Sequence, residues 1–504
     1  MSLRDFFNHP RFRNISREYT LDELTSLVPD LQHQSISNKL SLRLFNQLQE
    51  LFHQKKFTST FGCLDPVQLI EMSKYVDTIY VSGWQCASAV TQEPGPDLAD
   101  YPMDTVPRKV DQLVKAQVLH NRKYKLQYRP VDARNIFKPI IADGDTGHGG
   151  ITAVMKLTKL FIEAGASGIH LEDQKAGTKK CGHMGGKVLV STQEHVNRLK
   201  AARLQADIMK CPLVIIARSD AESGKYIDSN IDPHDHPFIM GRLKYLQAVR
   251  DPGVENGAVR EIFLECTLPE AILELRKEMS NMCKPCVEFK KIEELYGSYD
   301  EMMNTLKKML GCTSVWPKGW VQFEYDWECL RSPEGYYRTR NGTKYATHRC
   351  LKYGKYADLL WMETSNPKYS QAEYFAQEIH SKYPEMMLAY NLSPSFNWDN
   401  ADMTDNEIGD YMTKIGKLGF VWQFITLAGF HVNGYHINQF AKGFQENGML
   451  EYVKEVQRKE RESRNELLTH QKWSGAGVID YVNSLITRNG VTNINDENST
   501  EKQF

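Results

Sequence analysis

Apolar and β-branched residues gather along this chain into short runs, and between the runs apolar positions return at the three-to-four-residue spacing of amphipathic helices. Eight runs stand out: Phe61 to Leu64, Thr78 to Val81, Pro139 to Ala142, Ser167 to Leu171, Leu213 to Ala217, Ala357 to Trp361, Met387 to Ala389 and Phe420 to Ile425. Strands that alternate with helices pair in parallel with the helices outside. The pattern therefore predicts an α/β chain, and eight repeats of it predict a closed (β/α)8 TIM-type barrel. Catalytic groups in such a barrel come from the C-terminal ends of its strands. Here every run is followed by polar residues: Asp65; Ser82 to Trp84; Asp143 to Asp145; Glu172 and Asp173; Arg218 to Asp220; Glu363 and Thr364; Asn391 to Ser393; Thr426. Any one of them would serve as the cap of the helix that follows. Eight in succession, rich in carboxylates and with an arginine among them, predict a site at that end of the barrel.

The rhythm breaks once, where roughly ninety residues from Gly241 to Ser332 separate the fifth strand from the sixth, far more than a helix and its loops need. Pro269 to Met282 and Ile292 to Leu310 have helical spacing and mixed charge, which predicts a helical insertion lying away from the site. After the eighth strand, Ile437 to Leu468 is a long, highly charged helical stretch, and the polar tail from Asn489 onward is expected to fray. The expected division is a first part of the barrel with N-terminal helices (1–240), the helical insertion (241–332), the remainder of the barrel (333–436), and C-terminal helices with the tail (437–504). There is no internal repeat and no low-complexity tract.

Charge and composition narrow the function classes. Lys and Arg number 62 against 63 Asp and Glu, a formal net charge of −1, which argues against nucleic acid or an anionic membrane surface as partner. A small molecule is the expected partner. The most hydrophobic stretch, Gly419 to Val432, is interrupted by Gln423, Thr426 and His431 and falls short of the roughly 18 apolar residues of a membrane span. Ten cysteines, sparse and irregular, fit free thiols in a reducing compartment. The N-terminal segment carries Arg4, Arg11, Arg13 and Arg17, but Asp5 and Glu18 and the lack of an apolar core speak against a secretory signal or transit peptide. The last residues, Glu501 to Phe504, are not a Ser-Lys-Leu-like peroxisomal address. Cytoplasm is the expected location, with peroxisome or mitochondrion as alternatives.

Candidate chemistry concentrates in a few segments. Lys179 to Gly186 is a glycine-rich loop that sets Cys181 between lysines and His183. Such cationic surroundings are expected to favour the thiolate, able to exchange a proton with carbon or attack an electrophile. Asp97, Asp143, Asp145 and Glu172 follow the second, third and fourth strands without Cys–His ligand spacing, and hard oxygen donors of this kind favour Mg²⁺, with Mn²⁺ as the alternative. Magnesium keeps waters and takes one or two carboxylates plus substrate oxygens, which suits a hydroxy acid or a phosphate. Arg218 emerges from a buried strand and needs an anion, either Asp220 or Glu222 in a structural pair or a substrate carboxylate. Asn391, Ser393, Ser395 and Thr426 add neutral donors. Gly147-His148-Gly149-Gly150 lacks dinucleotide spacing, Cys283 and Cys286 are expected to be free thiols, and His234 and His236 sit in a turn with no assigned role.

The loop Lys179-Lys180-Cys181-Gly182-His183, with Tyr80 to Gln85, Ala142 to Gly147, Trp361 to Thr364, Asn391 to Trp398, Gln423 to Gly429 and His470 to Gly475, resembles the isocitrate lyase family of the phosphoenolpyruvate mutase and isocitrate lyase superfamily. The resemblance spans Arg11 to Gly475, and the insertion resembles the one that distinguishes eukaryotic members. It implies Mg²⁺-dependent, retro-aldol-type cleavage of isocitrate to glyoxylate and succinate in the glyoxylate cycle. By that similarity Asp143 anchors the metal while Asp97, Asp145 and Glu172 hold its waters. Ser82, Gly83, Trp84 and Arg218 bind the glyoxylate portion; Asn391, Ser393, Ser395 and Thr426 bind the succinate carboxylates; Gly182 and Glu363 also contact substrate. Cys181, supported by His183, protonates the succinate carbanion, and Tyr80 handles the hydroxyl proton. The resemblance further implies a homotetramer with exchanged C-terminal helices. Asp145 departs from the longer Glu of bacterial relatives. The alternatives are 2-methylisocitrate lyase, whose eukaryotic members resemble Val and Ser where this chain has Phe424 and Thr426, and a catalytically silent barrel that only binds.

Overall fold

The computed structural model describes residues 2–31, 34–127, 136–249, 258–280, 289–311, 323–488, 494 and 499–503. Eight parallel strands follow one another around a ring: β1 (Thr58–Phe61), β2 (Ile79–Val81), β3 (Ile140–Asp143), β4 (Gly168–Glu172), β5 (Val214–Ser219), β6 (Leu359–Met362), β7 (Met387–Asn391) and β8 (Phe420–Ile425). Each pairs with its neighbour in sequence, β1 pairs with β8 through Thr58 opposite Trp422, and a parallel bridge between Gly62 and Tyr80 closes the ring beside β2. The α/β barrel is as expected, with one shift: β1 begins at Thr58 rather than Phe61. Its first three residues, Thr58-Ser59-Thr60, include two β-branched threonines but no large apolar side chain, so a count of apolar positions passes over them. The strand ends at Gly62, where a Cβ would lie 2.1 Å from both Gln85 Oε1 and the Thr426 carbonyl oxygen.

Successive strand residues point to opposite faces. On β5, Val214 and Ile216 join the cluster inside the barrel while Ile215 and Ala217 join the larger core beneath the helices. The interior is aromatic: Phe424 is fully buried, 4.1 Å from the Trp422 ring, 4.7 Å from Tyr80 and 5.1 Å from Trp361, centroid to centroid. At the N-terminal end of the barrel the helix Ser37–His53 adds Leu44, Phe45 and Leu48 to that interior. There too lies a buried ion cluster. Arg11 donates to both Asp358 oxygens (3.0 and 3.1 Å), Arg203 donates to Asp358 Oδ2 (2.7 Å), and both guanidiniums donate to the Leu213 carbonyl.

The insertion corrects the helical expectation for 241–332. It holds a three-stranded antiparallel sheet, Met240–Val249 and Ala258–Thr267 with Phe323–Asp326 on the other side of the first, packed with the helices Leu268–Ser280 and Tyr299–Gly311 around Leu243, Ile272, Met302 and Leu306. The sheet signal was an alternation: Leu243 and Tyr245 are buried, whereas Arg242 and Lys244 face outward and pair across the strands with Glu265 and Glu261. Cys283 and Cys286, and most of the tail from Asn489, lie outside the described residues. The boundary at 437 also shifts, because the first C-terminal helix, Ala428–Asn447, starts directly after β8. Among the described residues, no helix is long and apolar enough to cross a membrane.

Candidate active site

Three carboxylates converge at the C-terminal end of β2 and β3. Asp143, the last residue of β3, accepts from the Gly83 backbone N–H (3.1 Å) and the Tyr80 hydroxyl (3.4 Å) at Oδ2, and from the Asp145 N–H (2.9 Å) at Oδ1. Asp145 sits at φ 48°, in the left-handed region, and accepts from the Tyr101 hydroxyl. The buried Lys179 ammonium pairs with Asp145 at 2.8 Å and also with Asp97, drawing the third carboxylate in. Glu172 ends β4; its backbone N–H donates to the Asp145 carbonyl, its Oε2 stands 3.2 Å from Arg218, and its buried Oε1 has no partner. Burial, followed by the neighbouring carboxylates, pushes Asp97 and Asp143 up to about 6 even against the Lys179 charge. Burial likewise raises Glu172, whereas at Asp145 the effect of burial is overcome by Lys179 and His148 acting together, which hold it low.

Among the described residues, no three His, Cys, Asp or Glu side chains converge at direct ligand distances. The donor set nonetheless fits a hard divalent cation that keeps most of its waters. All of its atoms are carboxylate oxygens, one buried oxygen is unpartnered, and a single ammonium stands among more negative charge than it can balance.

The loop carrying Cys181 is docked on this end of the barrel. Lys187, fully buried, donates to the Gly182 carbonyl (2.6 Å) and to Asp220 (2.9 Å), and Gln174 brackets Lys180 with two hydrogen bonds. The expected thiolate is corrected here. Burial, then Asp97, pushes the Cys181 thiol up to about 11 although Lys179 and Arg218 act the other way. The group is thus a thiol at neutral pH, suited to give a proton rather than to attack. His183 supports it through its backbone hydrogen bond to the sulfur, whereas its imidazole lies 3.3 Å from Glu363.

Arg218 organises the other half. It makes a two-pronged contact with Asp220 (3.0 and 3.1 Å), touches Glu172, and stacks on Trp361 at 4.5 Å; Glu222 instead accepts from Ser365. Glu363 accepts from Asn391 (3.1 Å) and joins β6 to β7. The remaining expected residues are engaged locally: Ser82 caps the helix Gly83–Ala89, Trp84 packs on Phe430 at 5.0 Å, and Ser393 accepts from the Ser395 N–H. Thr426, half-buried, directly follows β8. Tyr80 is fully buried; burial and then Asp143 hold its hydroxyl well above the ordinary range, and that hydroxyl donates to Asp143. Sequence reasoning missed Tyr101, His170 and Lys187. His170, 3.1 Å from the Tyr80 hydroxyl and pushed by burial down to about 3, is neutral; a lone histidine inside an apolar strand was its only signal.

Gly182 yields a prediction. A Cβ there would stand 2.6 Å from Arg218 Nη2 and 2.9 Å from Glu363 Cγ. Gly182→Ala is expected to lift the loop off Arg218, lowering turnover by about 10²-fold, the cost of misplacing a reacting group by about 1 Å, with the melting temperature nearly unchanged. Steady-state rates alongside thermal melts decide it; wild-type turnover would show that the docked loop is not the working one.

A profile of the isocitrate lyase family matches residues 1–257 and 302–504. The chain belongs to the isocitrate lyase family. Among its relatives, the isocitrate lyase of Pinus taeda is 42% identical over 507 residues, covering 93% of this chain and 85% of that one. The isocitrate lyase of Saccharomyces cerevisiae is 40% identical over 516 residues, covering 95% and 90%. The mitochondrial 2-methylisocitrate lyase of Hypocrea atroviridis is 39% identical over 531 residues, covering 100% and 93%. Most of the stretch that the family profile leaves unmatched, 258–301, falls in the described sheet and helices of the insertion.

Proposed function

We propose that this carbon–carbon lyase cleaves isocitrate to glyoxylate and succinate in a Mg²⁺-dependent retro-aldol-type reaction of the glyoxylate cycle. One observation carries the reading: a half-buried Cys181, its thiol kept protonated, is held by its loop between the acidic cluster and Arg218, where a carbanion could take its proton. Asp143, with Asp97, Asp145 and Glu172 through waters, would hold the cation. A bound Mg²⁺, or Mn²⁺ in its place, supplies Lewis-acid polarisation of the hydroxyl oxygen that becomes the glyoxylate aldehyde. Arg218, with Ser82, Gly83 and Trp84, binds the glyoxylate portion. Asn391, Ser393, Ser395 and Thr426 hold the succinate carboxylates. As the carbon–carbon bond breaks, the hydroxyl proton would leave through Tyr80, whose own proton passes to the neutral His170 3.1 Å away, so that the O–H electron pair becomes the aldehyde C=O; the pair of the broken bond stays on the succinate carbon, and Cys181 Sγ–H donates the proton that quenches it, leaving a thiolate. Trp361 beneath Arg218 and Phe424 beneath both Tyr80 and Trp361 keep water from the floor of the site.

Substrate choice gives the test. Isocitrate and 2-methylisocitrate differ by one methyl group, and the larger Phe424 and Thr426 leave less room for it. Isocitrate should have the higher kcat/KM, and Phe424→Val with Thr426→Ser should narrow a gap of about 10–200-fold. Because Phe424 also fills the barrel interior, a loss of both activities alike would mark it as packing only. A wild-type preference for 2-methylisocitrate would overturn the assignment in favour of the sister enzyme.

The protein acts, on this reading, as a homotetramer. The C-terminal helices support it: Val432, Tyr435 and Ile437 on one, Ile479, Leu485 and Ile486 on another, are exposed apolar residues of the kind buried between subunits. Light scattering on the purified chain tests the assembly. Seven described cysteines are free thiols, which supports a reducing compartment and with it a cytoplasmic location, checked by imaging a tagged chain.

A further inference from the structure

Lys187 closes the loop that carries Cys181, and it does so with a side chain that folding has buried completely. Its backbone is anchored. Val188–Leu189, directly after it, pairs in parallel with Tyr226–Ile227, which pairs antiparallel with Tyr337–Arg338, and the Lys187 carbonyl accepts the Tyr226 N–H. From that anchor the ammonium reaches back five positions to the Gly182 carbonyl (2.6 Å), next to Cys181, and across to Asp220 Oδ1 (2.9 Å). The same Asp220 oxygen accepts from Arg218 Nη2 (3.1 Å), and the second oxygen accepts from Arg218 Nε (3.0 Å). One carboxylate therefore joins the loop to the guanidinium. Burying an ammonium is unfavourable unless its charge is paired and its N–H groups are bonded, and a methionine would fill the same space without that penalty. What a methionine lacks is a compact donor that bonds a backbone carbonyl and a carboxylate together. Gly185 and Gly186, the latter at φ 73°, leave the span between Gly182 and Lys187 pliable, so the ammonium and not the chain sets where Gly182 stands.

We propose that Lys187 is a positioning residue of the lyase reaction: by tying the Gly182 carbonyl to the carboxylate that also holds Arg218, it keeps the Cys181 thiol in register with the guanidinium that binds substrate. It touches no reacting atom and acts through Cys181. Without it the loop keeps its bonds between Gln174 and Lys180 but loses its hold one residue beyond the thiol, where a displacement of about 1 Å is enough to spoil proton delivery. This role rests on the proposed cleavage of isocitrate with Cys181 as the proton donor.

Lys187→Met in the full-length protein should fold, because Asp220 keeps both of its bonds from Arg218. It should lower kcat for isocitrate about 10²-fold and leave KM within about threefold of wild type, since Arg218 remains in place to bind substrate. The second readout is independent of turnover. Iodoacetamide, followed by peptide mass spectrometry without substrate, should label Cys181 about tenfold faster in the variant, while the exposed Cys329 reacts at an unchanged rate as the reference. The third is a double variant: Lys187→Met with Gly182→Ala should be about as slow as either alone, because both undo the same docking, and should not show the product of about 10⁴-fold expected of independent sites. Lys187→Gln, which keeps a donor for Asp220 but is one bond too short to reach both acceptors, carries the same three readouts if the methionine variant does not fold. Wild-type labelling of Cys181, a loss confined to KM, or multiplied losses in the double variant would each overturn the role. If Cys181 labels faster in the variant but wild type itself releases no glyoxylate, the isocitrate reading has failed and the hold of Lys187 on the loop has not.

Discussion

Cys181→Ser is expected to fold, to bind succinate with wild-type affinity, and to lose about 10²–10⁴-fold in turnover, the range contributed by a positioned proton donor. The residue is half-buried in a loop held by Lys187 and Gln174 rather than in the barrel core, so its replacement by an isostere removes acidity and little packing. A serine hydroxyl is a far weaker acid than the thiol, even a thiol raised to about 11. Alkylating Cys181 should give the same loss. Glyoxylate release and succinate calorimetry on the variant check both halves, and near-wild-type turnover would remove Cys181 from the reaction.

The largest effect on stability should come from the opposite end of the barrel. Asp358→Ala leaves Arg11 and Arg203, both buried and both paired with that carboxylate, without their counter-charge. Breaking a buried pair in this way costs about 3–5 kcal/mol, a large part of the total stability of a typical domain. Asp358 also accepts the Ile215 N–H at the start of β5, so the loss reaches the sheet. Arg11 and Arg203 outweigh burial and hold the Asp358 pKa below its ordinary 3.8. A depressed carboxylate pKa means stability that is fully present above the unfolded value and lost as pH falls through the folded one. The difference between wild type and Asp358→Ala in urea unfolding should therefore be constant from neutral pH down to about pH 5 and shrink only in stronger acid. An unchanged midpoint at pH 7 would contradict the ledger of this cluster.

Most of the barrel was legible because parallel strands buried on both faces read as unbroken apolar runs, as in Leu213 to Ala217. What escaped was strand structure of another kind. Thr58 to Thr60 form a strand through short polar residues, two of them β-branched, and the long insertion strand from Met240 alternates apolar with charged positions that a helical reading scores as mixed. The carboxylates and Arg218 were legible because polar residues end apolar runs. The protonation state of Cys181 was not, because neighbours along the chain reveal Lys179 and Lys180 but not burial or the approach of Asp97 across 84 positions of sequence. Lys179 illustrates the same limit. It reads as a loop cation, yet folding buries it between two aspartates. Tyr80 and Tyr101, both hydrogen-bonded to the acidic cluster, likewise gain their meaning only from the fold.

The most direct measurement is glyoxylate release from isocitrate by the purified full-length protein in Mg²⁺, repeated in EDTA and again after Mg²⁺ is restored. Glyoxylate and succinate should appear in equal amounts, stop in EDTA and resume on readdition. A folded protein that releases no glyoxylate would make it a silent barrel, and release undiminished by EDTA would contradict the assignment of Asp143, Asp97, Asp145 and Glu172 to a metal.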